Sequence, residues 1–338
     1  MLADQRGRPL RDLRVSVTDN CNFRCTYCMP AEAFPADYPF LAGHRLLSFP
    51  DIVRVVEAAM PLGLKKVKLT GGEPLLRSLL PELVLSLKTC FPGLEVGLIT
   101  NGLHLAPLLP RLTAAGLDSV TVSIDALDAH RFADMTGNGH RVSTVLEAIE
   151  AAHQAFGQVK LNAVLIRGKN DNQIEPLALH FRRPGFDLRF IEFMDVGTLN
   201  RWDRSQVVTG DQALSRLKSL IPGVGLVPLA KSHPGETSER WAWSDGVGTV
   251  GFINSISRPF CGDCSRARLG ADGTLYTCLF STSGHDLGSV LRSGASTEVL
   301  SANLAGIWTG RNDRYSEERS ARLLEVPTSR VEMFAVGG

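Results

Sequence analysis

Cys21, Cys25 and Cys28 stand in the run Cys-Asn-Phe-Arg-Cys-Thr-Tyr-Cys, directly after a segment that reads as a strand. Three thiolates this close suit an iron–sulfur cube anchored through three of its four irons. The fourth iron then stays open to a small molecule, the property that separates a reactive metal centre from a closed structural one. A structural zinc ion is the competing reading. It needs a fourth ligand, and the nearest histidine, His44, lies well downstream.

A second triplet follows late in the chain: Cys261-Gly-Asp-Cys264 and, beyond thirteen further residues, Cys278. Zinc with His285 as fourth ligand is an alternative here. Against it stands Arg266-Ala-Arg268, which puts two cations beside the knuckle in strand-like alternation. Together with Arg14, Lys68 and Lys160 from the first half, these cations suit a triphosphate, which converging Arg and Lys grip through charge-assisted contacts. The ordinary fate of such charges is pairing with Asp or Glu on a wet surface. The seventh cysteine, Cys90, falls in an apolar helical stretch, where a buried, inert thiol is expected.

These residues need a frame. Strand-like runs at Leu13–Thr18, Lys66–Thr70, Val96–Thr100, Ser119–Asp125, Val159–Ile166 and Leu188–Met194 alternate with helical stretches such as Phe49–Met60, with Ser48 as its N-cap, and Ser143–Phe156. Six βα units in a row imply a parallel sheet with helical crossovers. Strands buried on both faces normally read as continuous apolar runs. Here Leu13, Val15 and Val17 alternate with Arg14, Ser16 and Thr18, and the other strands repeat the pattern. One face therefore packs on helices while the other lines a polar interior, which favours an open six-unit barrel over a closed eight-strand one filled with branched side chains. Turn signals recur at successive strand ends: Gly71-Gly72-Glu73-Pro74, Asn101-Gly102 and Ser123-Ile124-Asp125. Paired glycines there allow close backbone approach to a ligand.

Past residue 197 the pattern changes. Short β-like pieces (Val247–Ile253, Ala267–Leu269, Thr274–Phe280) surround the second triplet, and a helical region follows at Thr297–Arg319. The expected fold class is α/β: a partial (β/α)6 TIM-like barrel over 1–197, then a smaller α+β domain over 198–338 carrying the second cluster. With 338 residues and 44% hydrophobic content the chain can bury a full core in each. A net charge of +1 gives no overall field for nucleic acid or a membrane surface. No apolar run is long enough to span a bilayer and no signal-peptide core opens the chain, so a cytoplasmic protein is expected.

The C-x3-C-x2-C spacing followed by Gly-Gly-Glu-Pro resembles the radical S-adenosylmethionine (SAM) enzymes. The longer matches are more specific. Arg11–Pro30, Ile191-Glu-Phe-Met-Asp-Val-Gly, Phe260-Cys-Gly-Asp-Cys-Ser-Arg-Ala-Arg-Leu, Asp313-Arg-Tyr-Ser and the terminal Gly-Gly resemble the GTP 3′,8-cyclase family, which opens molybdenum-cofactor biosynthesis. The resemblance implies a SAM-binding [4Fe–4S] cluster on Cys21, Cys25 and Cys28, with Tyr27, Gly72, Ser123 and Met194 lining the SAM pocket. It implies a second [4Fe–4S] cluster on Cys261, Cys264 and Cys278 that meets the guanine of GTP. Arg14, Lys68, Lys160, Arg189, Arg266 and Arg268 would surround the nucleotide, and Gly337-Gly338 would reach into the active site. Two positions depart from the family. Lys68 stands where Arg is typical, turning a bidentate grip into a point charge. Ile99 replaces a Thr, so contact there is apolar or through backbone.

By the same resemblance, SAM is cleaved to a 5′-deoxyadenosyl radical that removes hydrogen from C3′ of GTP, and C3′ then adds to C8 of guanine. A low-potential donor of flavodoxin or ferredoxin type, hand-off to a cyclic pyranopterin monophosphate synthase, and a monomer or homodimer complete the expectation. The rivals are a two-cluster radical SAM enzyme acting on a peptide, and a non-catalytic iron–sulfur or zinc module. The first leaves Arg266 and Arg268 unexplained, the second makes the polar strand faces accidental, and neither accounts for the Gly-Gly tail.

Overall fold

The computed structural model describes residues 2–137, 139–233, 235–322 and 330–337. Six strands come first: β1 (Asp12–Ser16), β2 (Lys66–Thr70), β3 (Glu95–Thr100), β4 (Ser119–Ser123), β5 (Val159–Leu165) and β6 (Phe186–Glu192). Between them run α1 (Phe49–Ala59), α2 (Leu80–Cys90), α3 (Leu105–Ala114), α4 (Ala129–Thr136), α5 (Val142–Phe156) and α6 (Ile174–His180). Helix α1 shows why the crossovers form. Ser48 Oγ caps it by accepting from Asp51 N at 3.2 Å, Pro50 sits in the first turn, and Ile52, Val55, Val56, Ala58 and Ala59 form one buried stripe.

The expected alternation holds along the strands. Val15, Val67, Leu69, Val122, Leu161 and Ala163 belong to the apolar core under the helices. Their neighbours Arg14, Lys68, Thr121, Lys160 and Asn162 line an interior cavity.

Beyond β6 come α7 (Gly210–Lys218), β7 (Leu226–Pro228), β8 (Glu239–Trp243), β9 (Thr249–Ile253), β10 (Arg266–Leu269), β11 (Thr274–Tyr276), β12 (His285–Asp286), α8 (Leu287–Arg292), α9 (Thr297–Thr309) and α10 (Tyr315–Arg322). These strands join the same sheet, whose order is β12-β11-β10-β1-β2-β3-β4-β5-β6-β9-β8-β7. Both junctions are parallel: Arg14 stands opposite Arg268, and Arg189 opposite Gly251. One cavity is lined from β1 through β6 and also from β9 and β10. A sheet whose distant strands reach one space must curl around it, yet β9 and β10 are not bonded to each other, so the barrel stays open.

Some expectations are corrected. The helical region expected at Thr297–Arg319 is two helices, α9 and α10, with a break around Arg311–Arg314. Strand β6 begins at Phe186 rather than Leu188, because Phe186 and Asp187 already pair with Val159 and Lys160. It stops at Glu192, whose carboxylate instead accepts from Gly210 N, Ile256 N and Ser257 N. Cys90 is exposed, not buried: it is the last residue of α2 and falls on the outer side of the helix.

Candidate functional site

The first cysteine loop is fixed before any ligand is considered. Arg24 is buried and donates to Cys21 O (2.7 Å), Phe23 O (2.9 Å) and Phe34 O (2.7 Å), so one guanidinium satisfies three carbonyls of the turn. The amides of Arg24 and Thr26 donate to Thr136 O and Met135 O at the end of α4. Gly71 and Gly72 abut this loop: Gly72 N donates to Thr18 O at 2.8 Å and Glu73 N to Asn20 O at 2.8 Å. A Cβ on Gly71 would sit 2.3 Å from Thr18 O, and one on Gly72 would sit 2.3 Å from Asn20 O. The close approach foreseen for these glycines is therefore first of all to the cysteine loop.

Glu73 then ties the loop to the third strand. Its carboxylate accepts from Thr100 Oγ1 (2.7 Å), Asn101 N (2.8 Å) and Leu75 N (3.0 Å), and burial still pushes its pKa up to about 7. Asn101 in turn donates to Asn22 Oδ1 at 2.7 Å. On the other side Tyr27 donates to Asp125 at 3.0 Å, Val164 N donates to the same carboxylate at 2.8 Å, and burial raises Asp125 to about 6.

The outcome is one largely apolar cavity lined by Cys21, Cys25, Cys28, Tyr27, Gly72, Ser123 and Met194. It brings together every residue assigned to the first cluster and to SAM. Burial raises the Cys21 thiol to about 12 and lifts Cys25 and Cys28 as well, so these side chains are neutral until a cation draws off their protons. Among the described residues no three His, Cys, Asp or Glu side chains form a group that could hold one metal ion. Three soft sulfur donors on one loop, spread around an apolar space, fit a multi-iron cluster that distributes its ligands over several irons.

A second cavity adjoins it, lined by Cys261, Cys264, Cys278, Phe260, Arg14, Arg266 and Arg268, and shared with Met194 and Asn162. Two buried arginines brace its knuckle: Arg8 donates to Cys261 O at 2.8 Å and Arg311 to Cys264 O at 2.7 Å. Burial would raise the Cys264 thiol, but Arg266 and Arg311 outweigh it and bring the value down to about 6. Arg266 approaches the sulfur at 3.4 Å. These donors suit a second cluster as well as the first set does. His285, the alternative zinc ligand, is exposed on β12 and does not line this cavity.

The third space is cationic. Arg14, Lys66, Lys68, Lys160, Arg189 and Arg266 line it, together with Ile99. Lys66 pairs with Glu95, and Arg189 donates to Asp187 at 2.5 Å. Among the described residues Arg14, Lys68 and Lys160 have no carboxylate within ion-pair reach, unlike cations on a solvated surface. Burial, then the charges of Lys66, Lys160, Arg14 and Arg189, hold Lys68 well below its ordinary pKa. Burial and Arg266 bring Arg14 to about 10. Buried like charges of this kind want an anion.

Arg268 turns the other way. It donates to Val336 O (2.9 Å) and Gly337 O (2.5 Å), and Arg14 also reaches Gly337 O at 3.2 Å. The chain end is thus threaded into the lumen, past Met333 and Phe334 at the sulfur-lined cavity. Gly338 lies outside the described residues. Sequence reading passed over Asn162 beyond its place on a polar strand face, and treated Glu73 and Asp125 only as parts of turn signals. Asn162 is the one described residue that lines all three cavities.

The Radical SAM superfamily model matches residues 15–180, and the Molybdenum Cofactor Synthesis C model matches residues 186–317. A GTP 3′,8-cyclase from Xanthomonas axonopodis pv. citri is 48% identical over 100% of this chain and 99% of its own length. One from Acidothermus cellulolyticus is 45% identical over 94% of this chain and 89% of its own. Another, from Staphylococcus epidermidis, is 40% identical over 100% of this chain and 99% of its own.

Proposed function

The chain belongs to the GTP 3′,8-cyclase family of radical SAM enzymes, and from that premise we propose that its three joined cavities are one active site. The protein catalyses the first step of molybdenum cofactor biosynthesis, acting on GTP by radical SAM chemistry. A single observation carries the site assignment: two three-cysteine sets and an unpaired cation cluster open into one lumen.

Cys21, Cys25 and Cys28 hold the [4Fe–4S] cluster that takes SAM, with Tyr27, Gly72, Ser123 and Met194 around the SAM itself. Cys261, Cys264 and Cys278 hold a second [4Fe–4S] cluster beside the guanine. When bound, the reduced first cluster and SAM supply a carbon-centred radical able to take hydrogen from C3′ of GTP. The residues of the chain do the rest. Lys68, Lys160 and Arg14, whose charges have no carboxylate partner among the described residues, bind the triphosphate together with Arg189, which also pairs with Asp187. Arg266 and Arg268 hold the nucleotide against the second cavity, and Ile99 gives an apolar edge. The tail at Gly337 fills the lumen between Arg14 and Arg268 and keeps water from the reacting carbon.

Residues 1–197 form the barrel and 198–338 the part that adds strands at both of its edges. The two family models meet between residues 180 and 186, ahead of β6 and so earlier than this division. Among the described residues no helix is long and apolar enough to cross a membrane. A low-potential flavodoxin or ferredoxin provides the electron, and a pterin-forming synthase takes the product.

The test is anaerobic reconstitution with SAM and GTP deuterated at C3′. Deuterium in 5′-deoxyadenosine alongside a cyclised nucleotide is the expected result. SAM cleavage without transfer from C3′ would overturn the assignment of the cation chamber to GTP.

A further inference from the structure

Strand β5 grades the lumen along its length. Lys160 lines the cationic space alone, Val164 lines the sulfur-lined cavity alone, and Asn162 between them lines all three. Each step of two residues advances roughly 6.6 Å on one face of a strand. In the sheet Asn162 stands opposite Ser123 on one side, which faces the sulfur-lined cavity, and Arg189 on the other, which faces the cations. Its Oδ1 is buried and has no hydrogen-bond partner. A buried amide oxygen left without a donor is costly, and such an atom at a cavity junction marks a place where a ligand supplies the donor.

The donor must come from a ligand part lying between a triphosphate and the reacting centre. Nucleobase and phosphates do not meet that description; a ribose hydroxyl does. Resting on the function proposed above, we infer that Asn162 accepts a hydrogen bond from the 3′-hydroxyl of GTP and so turns the C3′–H bond toward the sulfur-lined cavity. The bond has a chemical effect as well as a positional one. An acceptor on O3′ shifts electron density toward C3′ and weakens the adjacent C–H bond. No proton leaves the hydroxyl and the atoms of the established reaction are unchanged. The ribose of SAM carries similar hydroxyls, so the experiment must separate the two sources.

Equilibrium dialysis on the reconstituted enzyme, without SAM, would compare GTP, 2′-deoxyGTP and 3′-deoxyGTP on wild type, Asn162→Ala and Asn162→Gln. Wild type should bind 3′-deoxyGTP about tenfold more weakly than GTP, the worth of one hydrogen bond to a buried acceptor. Asn162→Ala should bind both equally, and Asn162→Gln, longer by one methylene, should restore part of the difference. As a second readout, deuterium transfer from C3′ per SAM cleaved should fall severalfold in Asn162→Ala. A GTP to 3′-deoxyGTP ratio unchanged by the alanine would overturn the inference. So would discrimination confined to 2′-deoxyGTP, or weakened SAM affinity with an unchanged nucleotide ratio, which would assign the amide to the SAM ribose. If the alanine variant fails to fold, the wild-type ratio decides: no loss with 3′-deoxyGTP refutes it. Failure of wild type to bind GTP or cyclise it would instead strike the functional reading itself.

Discussion

Arg268 holds the end of the chain by its carbonyls, donating to Val336 O at 2.9 Å and Gly337 O at 2.5 Å. The residue so held can only be glycine. Gly337 has φ +64°, and a Cβ there would lie 2.3 Å from Thr70 Cγ2 and 3.1 Å from Ser16 Oγ. Gly337→Ala must therefore lift the tail off the two arginines rather than adjust in place. Cyclisation should fall at least tenfold, equivalent to about 1.4 kcal/mol in the barrier, with iron content and SAM binding unchanged. Activity equal to wild type would show that the lumen tolerates a displaced tail.

Lys68 makes the free enzyme less stable than it need be. Its buried ammonium faces other cations, which holds the native pKa well below that of the unfolded chain. The sign follows from linkage: as pH rises through the native value toward 10.5, native Lys68 gives up its proton before the unfolded chain does, and stability climbs. Nucleotide-free wild type should gain melting temperature on this alkaline side, and Lys68→Met should remove that gain. The same substitution should raise the melting temperature at pH 7 and weaken GTP binding about tenfold, the loss of a charge-assisted contact. Calorimetry in two buffers should also show proton uptake when GTP binds above neutral pH. A Lys68→Met protein less stable than wild type at pH 7 would contradict the whole account.

What could be read without coordinates was what local chemistry determines. The cysteine spacing, the period-two alternation in strands such as Leu13-Arg14-Val15, and the Ser48 cap each depend on residues a few positions apart. Long-range pairing could not be read this way. Nothing in Arg266–Leu269 signals that it lies parallel to β1, putting Arg268 level with Arg14 across the sheet. Asn162 was hidden for a different reason: its importance comes from three cavities meeting at one height on β5. Cys90 is exposed because α2 buries only one face, which an apolar stretch of sequence does not by itself reveal.

Glu73 offers a pH test of the loop that carries the first cysteines. Burial raises its pKa from 4.5 to about 7 although three donors reach it. A carboxyl raised on folding contributes stability fully below the unfolded value, and that contribution is lost as pH climbs through about 7. The change corresponds to roughly 3 kcal/mol between the two limits. In cluster-free protein, Glu73→Gln, whose NH2 cannot accept from Asn101 N as the carboxyl oxygen does, should melt below wild type at pH 4.5, and that deficit should shrink by pH 8, because the amide is never charged. A difference independent of pH would mean Glu73 is ionised in the native loop throughout.

The two cysteine sets belong to different supports, and that makes their loss separable. Cys21, Cys25 and Cys28 are fixed by Arg24 and α4, while Cys261 and Cys264 hang from Arg8 and Arg311. Among the described residues no backbone bond of the first loop depends on the second knuckle. Cys278→Ser should therefore take iron from about eight atoms per chain to about four, leave SAM affinity within about twofold, and still permit slow SAM cleavage. Cyclisation should disappear, because the guanine has lost the face that positions C8 against C3′. If the serine variant loses all its iron, the two sites are coupled through folding and the separation argued here is wrong. If wild type as isolated carries zinc at the second set and still cyclises GTP, that site is structural, and Arg266 and Arg268 alone orient the base.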